Sequence, residues 1–242
     1  MRHFWLYFKL GVTTAIMIFI FRPGLPPIET IVTPSVSPSV VTQKISQLPT
    51  PNHTPSATAP TLDELVDMAI AAPDIPQDIR YATANNFTGI QLYERPKCYL
   101  RHPVAQQVIK AQQLLQQKYP ELTLKLWDCY RPHSIQFKMF EHSPDPSYVA
   151  DPTKGSNHNR GVSVDLTLAN RETGKELEMP TPFDDFTEKA APHATNVSEP
   201  AKINRGILRS VMLETGFEPI ATEWWHYDGA GRDTSPVLDD PL

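Results

Sequence analysis

Ser156-Asn-His-Asn-Arg-Gly-Val-Ser-Val-Asp-Leu-Thr-Leu168 is the stretch on which the fold of this chain turns. From Gly161 onward it alternates, with Val162, Val164 and Leu166 pointing one way and Ser163, Asp165 and Thr167 the other. A period of two marks a strand with unlike faces. Asp165 therefore sits opposite the apolar set, as a residue lining a site would. His158 lies seven positions earlier, too far for one helical face but suited to a loop entering a strand, and Gly161 lets the backbone turn tightly between the two. A second segment, Glu223-Trp-Trp-His226, adds another imidazole and another carboxylate. Three protein ligands, an open position for water and a nearby base are what a catalytic zinc site requires. His158, Asp165 and His226 are the expected ligands of one zinc ion per chain, and Glu223 is the expected general base. On a strand, residues three apart face opposite ways, so a bulge is expected between Glu223 and His226. Trp224 and Trp225 are expected to wall the site and lower its dielectric. His3, His53, His133 and His142 read as ordinary surface or core residues, and no HExxH helix of a conventional protease is present.

Around this strand, residues 103–119 show helical spacing of Val104, Val108, Ala111, Leu114 and Leu115, with Pro103 in the first turn, where its missing N–H costs nothing. The many glutamines of this helix read as a neutral solvent face. Residues 122–130 alternate as a half-buried strand that ends at Arg131-Pro132. Ser134 is placed to cap a helix reaching Phe140. Residues 200–214 form a second long helix, with Ile207, Leu208, Val211 and Met212 inward and Gly216 as its stop. Residues 78–89 read as a strand running into a loop, and 218–227 as a further strand carrying Glu223 and His226. Helices and strands mix without regular βαβ alternation or internal repeat. The expected class is α+β, a single domain with a small, mostly antiparallel sheet flanked by helices.

The remainder of the chain reads as an appendage. Residues 1–22 hold Arg2 and Lys9 ahead of an almost uninterrupted apolar run, which fits a signal-peptide core or a marginal membrane span. No Ala-x-Ala-like cleavage site follows Phe21, which favours an uncleaved anchor over a cleaved signal; either puts residues 61–242 outside the cytoplasmic membrane. Residues 23–60 are rich in Pro, Ser and Thr and cannot bury enough apolar surface to offset their ordering entropy, so they read as an extended linker. A net charge of −5 leaves no basic footprint for nucleic acid. The chain has two cysteines, Cys98 and Cys129; an exported protein permits a disulfide between them, and two separate buried thiols are the alternative.

SNHNRGVSVD and EWWH resemble the SxHxxGxAxD and ExxH signatures of the zinc D,D-peptidases, whose fold is shared with the Hedgehog signalling domain. Three further stretches are similar to the VanX-type D-alanyl-D-alanine dipeptidase branch: Asp78-Ile-Arg-Tyr-Ala-Thr-Ala-Asn-Asn-Phe-Thr-Gly89, Asp128-Cys-Tyr-Arg-Pro132 and Met179-Pro-Thr-Pro-Phe-Asp184. Val162-Ser163-Val164 replaces the family's small residues around the Ala position, and Pro180 stands where the family has Gly. The resemblance covers roughly residues 61–230. It implies that Arg131 stabilises the oxyanion, that Ser156 and Asp184 hold the ends of a small zwitterionic D,D-dipeptide, and that Tyr81 and Asn86 are pocket walls. The rival readings are a D,D- or L,D-carboxypeptidase acting on peptidoglycan stems and a zinc-binding surface module without turnover.

Overall fold

The structure, a computed structural model, describes residues 65–143, 145 and 147–242. The expected anchor, the linker and the domain start near Thr61 lie outside the described residues. In chain order the elements are β1 (Leu65–Asp67), α1 (Met68–Ala71), a 3-10 turn at Arg80–Ala82, β2 (Tyr99–Arg101), α2 (His102–Lys118), β3 (Leu122–Asp128) and α3 (His133–His142). A second 3-10 turn at His158–Arg160 leads into β4 (Ser163–Asn170); a third at Glu188–Ala190, α4 (Glu199–Glu214), β5 (Glu218–Pro219) and β6 (His226–Asp228) complete the series. β1 and β2 make a small antiparallel pair, and the main sheet has the order β3-β4-β6-β5 with every neighbour antiparallel. This is the expected α+β arrangement. Among the described residues, no helix is long and apolar enough to cross a membrane.

The two long helices form where their periodicity places them. Val104, Val108, Ala111 and Leu115 of α2 are fully buried. The glutamine face is only partly solvent: Gln112 is buried, donating to Thr123 Oγ1 at 2.9 Å and accepting from the Leu124 N–H at 2.9 Å. A buried amide is tolerated because both of its ends are paired. α4 starts at Ser198, whose hydroxyl accepts from the Ala201 N–H at 3.2 Å. It stops at Gly216, φ 85°, where the Phe217 N–H reaches Met212 O at 3.0 Å and the Gly216 N–H reaches Leu213 O at 3.0 Å. That double bond is a Schellman closure, which needs the left-handed residue that glycine supplies. Ser198→Ala should cost about 1 kcal/mol, read as a lower urea midpoint with unchanged slope; an unchanged midpoint would show that the cap contributes nothing.

Three expectations are corrected. Residues 78–89 make no strand. Tyr81 sits in the 3-10 turn at Arg80–Ala82, and its carbonyl takes the N–H groups of Leu92 and Tyr93 at 2.8 and 2.9 Å. The Asn86 amide bonds Thr83 O at 2.7 Å and Ile90 O at 2.9 Å, so side-chain bonds outcompete a ladder. Ser134 does not cap α3, which begins at His133 after Pro132; instead the Ser134 N–H donates to Asp239 Oδ1 at 2.7 Å, so the cap comes from the C-terminal segment. Residues 218–227 are not one strand. β5 and β6 are separated by residues 220–225, so the expected bulge is a full interruption that carries Glu223 out of the ladder. Cys98 and Cys129 are joined by a disulfide.

Candidate metal centre and its cleft

Antiparallel pairing of β4 with β6 sets Asp165 directly opposite His226. His158 joins them from the 3-10 turn at His158–Arg160, which ends at Gly161 with φ 67°, a left-handed conformation that favours glycine. One ligand atom from each of His158, Asp165 and His226 falls within 4.8 Å of the others, and all three residues are buried. His158 Nε2 lies 3.1 Å from His226 Nδ1 and 3.3 Å from Asp165 Oδ2, while His226 Nδ1 lies 3.0 Å from Asp165 Oδ1. The expected ligand trio is therefore assembled.

The outer nitrogens show what this cluster is built to hold. His158 Nδ1 is 2.7 Å from the Cys129 carbonyl, and His226 Nε2 is 2.9 Å from Asp228 Oδ1. Each ring donates outward to an acceptor, which turns the lone pair of its other nitrogen inward, the usual device for a metal-bound histidine. Two inward lone pairs 3.1 Å apart repel unless a proton or cation lies between them. Two nitrogens about 2.0 Å from a tetrahedral zinc sit about 3.3 Å apart. The donor set and spacing fit such an ion. The electrostatics agree: burial works against a charged His226, but Asp165 and Asp228 outweigh it and raise its pKa well above the usual histidine range. Burial likewise opposes ionisation of Asp165, and His158 and His226 overcome it, holding the carboxyl well below its usual range. The pocket selects positive charge.

Glu223 stands beside this cluster and outside it, with Oε2 4.0 Å from His226 Nδ1. Burial above all, with Asp165 and Asp184 adding to it and His226 and Arg131 opposing, lifts its pKa to about 8. Of the two tryptophans, Trp225 faces the cleft, while Trp224 backs it, its indole N–H bonded to Thr181 Oγ1 at 3.0 Å. The expectation of two walls is thus half met.

The cleft encloses about 290 Å³ and also receives Arg131, Ser156, Asp184 and Tyr81. The Arg131 guanidinium lies 5.1 Å over the Tyr81 ring; its Nε and Nη2 bond Asp128 Oδ2 at 3.2 and 2.7 Å, and Nη1 bonds Gln136 Oε1 at 2.8 Å. Asp128 is wholly buried and takes a further bond from Tyr93 Oη at 2.8 Å. Ser156 shapes the ligand loop: its N–H donates to Asn159 Oδ1 at 2.6 Å and its hydroxyl accepts from the His158 N–H at 3.2 Å. Asp184 has a left-handed backbone, φ 59°, and accepts from Tyr81 Oη at 3.0 Å and from the Phe87 N–H at 3.2 Å. Burial, reinforced by Asp165 and opposed by those two bonds, raises its pKa to about 7. Asn86 is spent inside its own loop and does not face the cleft; Phe87 does. The supports Asp128, Gln136 and Asp228, and the stacked pair Tyr148 and Phe186 with centroids 4.8 Å apart at the rim, are absent from the sequence reading. Asp228 had a usable signal, lying two residues beyond His226 on one strand and hence on the same face.

A family model described as D-ala-D-ala dipeptidase, peptidase M15, matches residues 61–241. Among curated proteins the chain is similar to D-alanyl-D-alanine dipeptidases from several bacteria. Identity to that of Escherichia coli K12 is 37% over 177 residues, 73% of this chain and 90% of the relative. It is 33% over 171 residues for Enterococcus faecium, 62% of this chain and 83% of the relative. For Streptomyces coelicolor it is 31% over 191 residues, 69% and 88%.

Proposed function

The chain belongs to the M15 peptidase family of D-Ala-D-Ala dipeptidases, and from that premise we propose that it splits D-Ala-D-Ala, or a closely related cell-wall D,D-dipeptide, into free amino acids with the help of one zinc ion. The observation that carries this reading is the convergence of His158, Asp165 and His226 with Glu223, Arg131 and Asp184 on one cleft. A zinc ion held by the three ligands would supply Lewis acidity and lower the pKa of a coordinated water toward neutrality. The chain's own residues supply the rest. Glu223, buried and outside the ligand set, takes a proton from the attacking water and returns it to the leaving amine. Arg131 aims a fixed positive charge at the oxygen on which negative charge develops, and it pays no reorganisation because Asp128 and Gln136 already hold it. Asp184 pairs with the substrate's ammonium group, and Ser156 helps hold its other end. Trp225 and Phe87 exclude water and strengthen these charge interactions.

The domain would act outside the cytoplasmic membrane, tethered by residues 1–22 through the linker at 23–60. Its disulfide supports that placement, since such bonds persist in oxidising compartments. Amine release from D-Ala-D-Ala by the whole chain should disappear on chelation and return with added zinc, while a pentapeptide stem stays intact. Release from the stem alone would assign the chain to the carboxypeptidases instead.

A further inference from the structure

A closed ring of contacts ties the metal-facing side of the domain to its disulfide. His158 Nδ1–H donates to the Cys129 carbonyl at 2.7 Å. Cys129 is bonded to Cys98, which directly precedes β2. At the far end of β2 the Arg101 N–H donates to Gly161 O at 2.9 Å, and Arg101 Nε donates to Arg160 O at 2.7 Å. The 3-10 turn at His158–Arg160 then leads back to His158. Three cross-members brace the ring: Tyr130 N–H to Tyr99 O at 2.9 Å, Arg131 N–H to His158 O at 3.1 Å, and Asn159 Nδ2 to Arg131 O at 2.9 Å. Apart from continuous chain, the S–S bond is the ring's covalent member.

Its position matters because the β3–β4 ladder ends at Asp128. The chain leaves the sheet there, and the short stretch from Asp128 to Arg131 does three jobs. Asp128 holds the Arg131 guanidinium, Cys129 supplies the carbonyl behind His158, and Arg131 itself enters the cleft. A carbonyl behind a ligand histidine fixes its tautomer and its ring orientation. Both sulfurs are buried, so the bridge is part of the wall behind the site.

We propose that the Cys98–Cys129 disulfide is a positioning element of the metal centre, holding the Cys129 carbonyl in place behind His158 and the Arg131 segment in register with it. This rests on the reading of His158 as a metal ligand. The plain alternative is that the bridge only restricts the unfolded chain, across its separation of 31 residues. The two differ in a measurable way. A constraint on the unfolded chain changes the unfolding equilibrium and leaves the folded site's affinity for metal untouched, whereas a positioning element changes that affinity.

The test compares whole wild-type chain with the variant carrying Cys98→Ser and Cys129→Ser, both shown by far-ultraviolet circular dichroism to be folded at the working temperature. Zinc dissociation constants are measured by chelator competition, and cobalt(II) absorption bands report the ligand field. Leu208→Ala, a cavity in the core face of α4, serves as a comparably destabilised control. Expected are a zinc dissociation constant about tenfold higher in the double variant, altered cobalt bands, and wild-type values in Leu208→Ala. Equal affinities and identical bands, or an equal loss in Leu208→Ala, would overturn the proposal. Wild-type chain that bound no zinc would instead overturn the metal centre itself, a separate failure. If the double variant does not fold, native protein is reduced with a phosphine. The phosphine attacks one sulfur, the S–S bond breaks, water supplies the oxygen of the phosphine oxide, and two thiols result. The chain has two cysteines, so thiol count tracks the bridge directly. Zinc release in step with thiol appearance, with circular dichroism retained, is expected; zinc retained by the fully reduced, folded chain contradicts it.

Discussion

Glu223→Gln is expected to lower kcat for D-Ala-D-Ala by about 10³-fold while the chain keeps the zinc proposed for it. The size follows from the place of the carboxylate. Glu223 is not one of the three converging ligands, so its loss leaves the donor set whole. Proton transfer by a placed group is worth about 10² to 10⁴, and in the proposed mechanism one group serves both the attacking water and the leaving amine. Burial already shifts Glu223 toward the proton-holding range, to about 8. Glutamine preserves the shape and removes the charge and the basicity. Steady-state kinetics with metal analysis on the same sample decides the matter. More than a few per cent of wild-type kcat, or loss of zinc along with activity, would remove Glu223 from the role of base.

Arg131→Ala should combine two losses. The first is catalytic, about 10² to 10³ in kcat, the usual effect of deleting a preorganised oxyanion partner. The second is structural: Asp128 is 0% exposed and would lose its main partner. Breaking a buried pair on one side costs about 3–5 kcal/mol. Arg131→Lys should rescue little, because an ammonium cannot reproduce three guanidinium contacts to Asp128 and Gln136 at once. The two losses separate on adding Asp128→Asn to Arg131→Ala. Denaturant unfolding should recover much of its midpoint, while kcat stays low. Recovery of both would mean that Arg131 acts only as a counter-ion, and near wild-type kcat in Arg131→Ala alone would end its catalytic role.

What could be read from the residues was whatever repeats locally. The alternation from Gly161 placed Asp165 on the site face, and the spacing of α2 and α4, with Pro103 and Gly216 as punctuation, matches the observed helices within a residue or two. The metal trio was legible because its residue types permit few other chemistries together. The supports were not. Asp128 meets Tyr93 across 35 residues and Asp184 meets Tyr81 across 103, and no periodicity reports such pairs. The strands expected over 78–89 and 218–227 failed for a related reason. Asn86 instead closes a local loop, and residues 220–225 interrupt β5 and β6 and carry Glu223. Buried Gln112 likewise found partners on β3 that its own helix could not foretell.

The sheet order β3-β4-β6-β5 has a consequence for handling the protein without metal. Two of the three ligands, Asp165 and His226, face each other across the β4–β6 ladder, and β6 is three residues long with a two-residue edge strand beyond it. An ion bound there would act as a rivet through a seam of three residue pairs. Without it, opening of β6 would bare the edge of β4 over Ser163–Asp165, all of it buried. An unpaired apolar strand edge is a template for pairing with other chains. A metal ion held there as proposed would therefore also guard against self-association, and chelator treatment is expected to lower solubility as well as turnover.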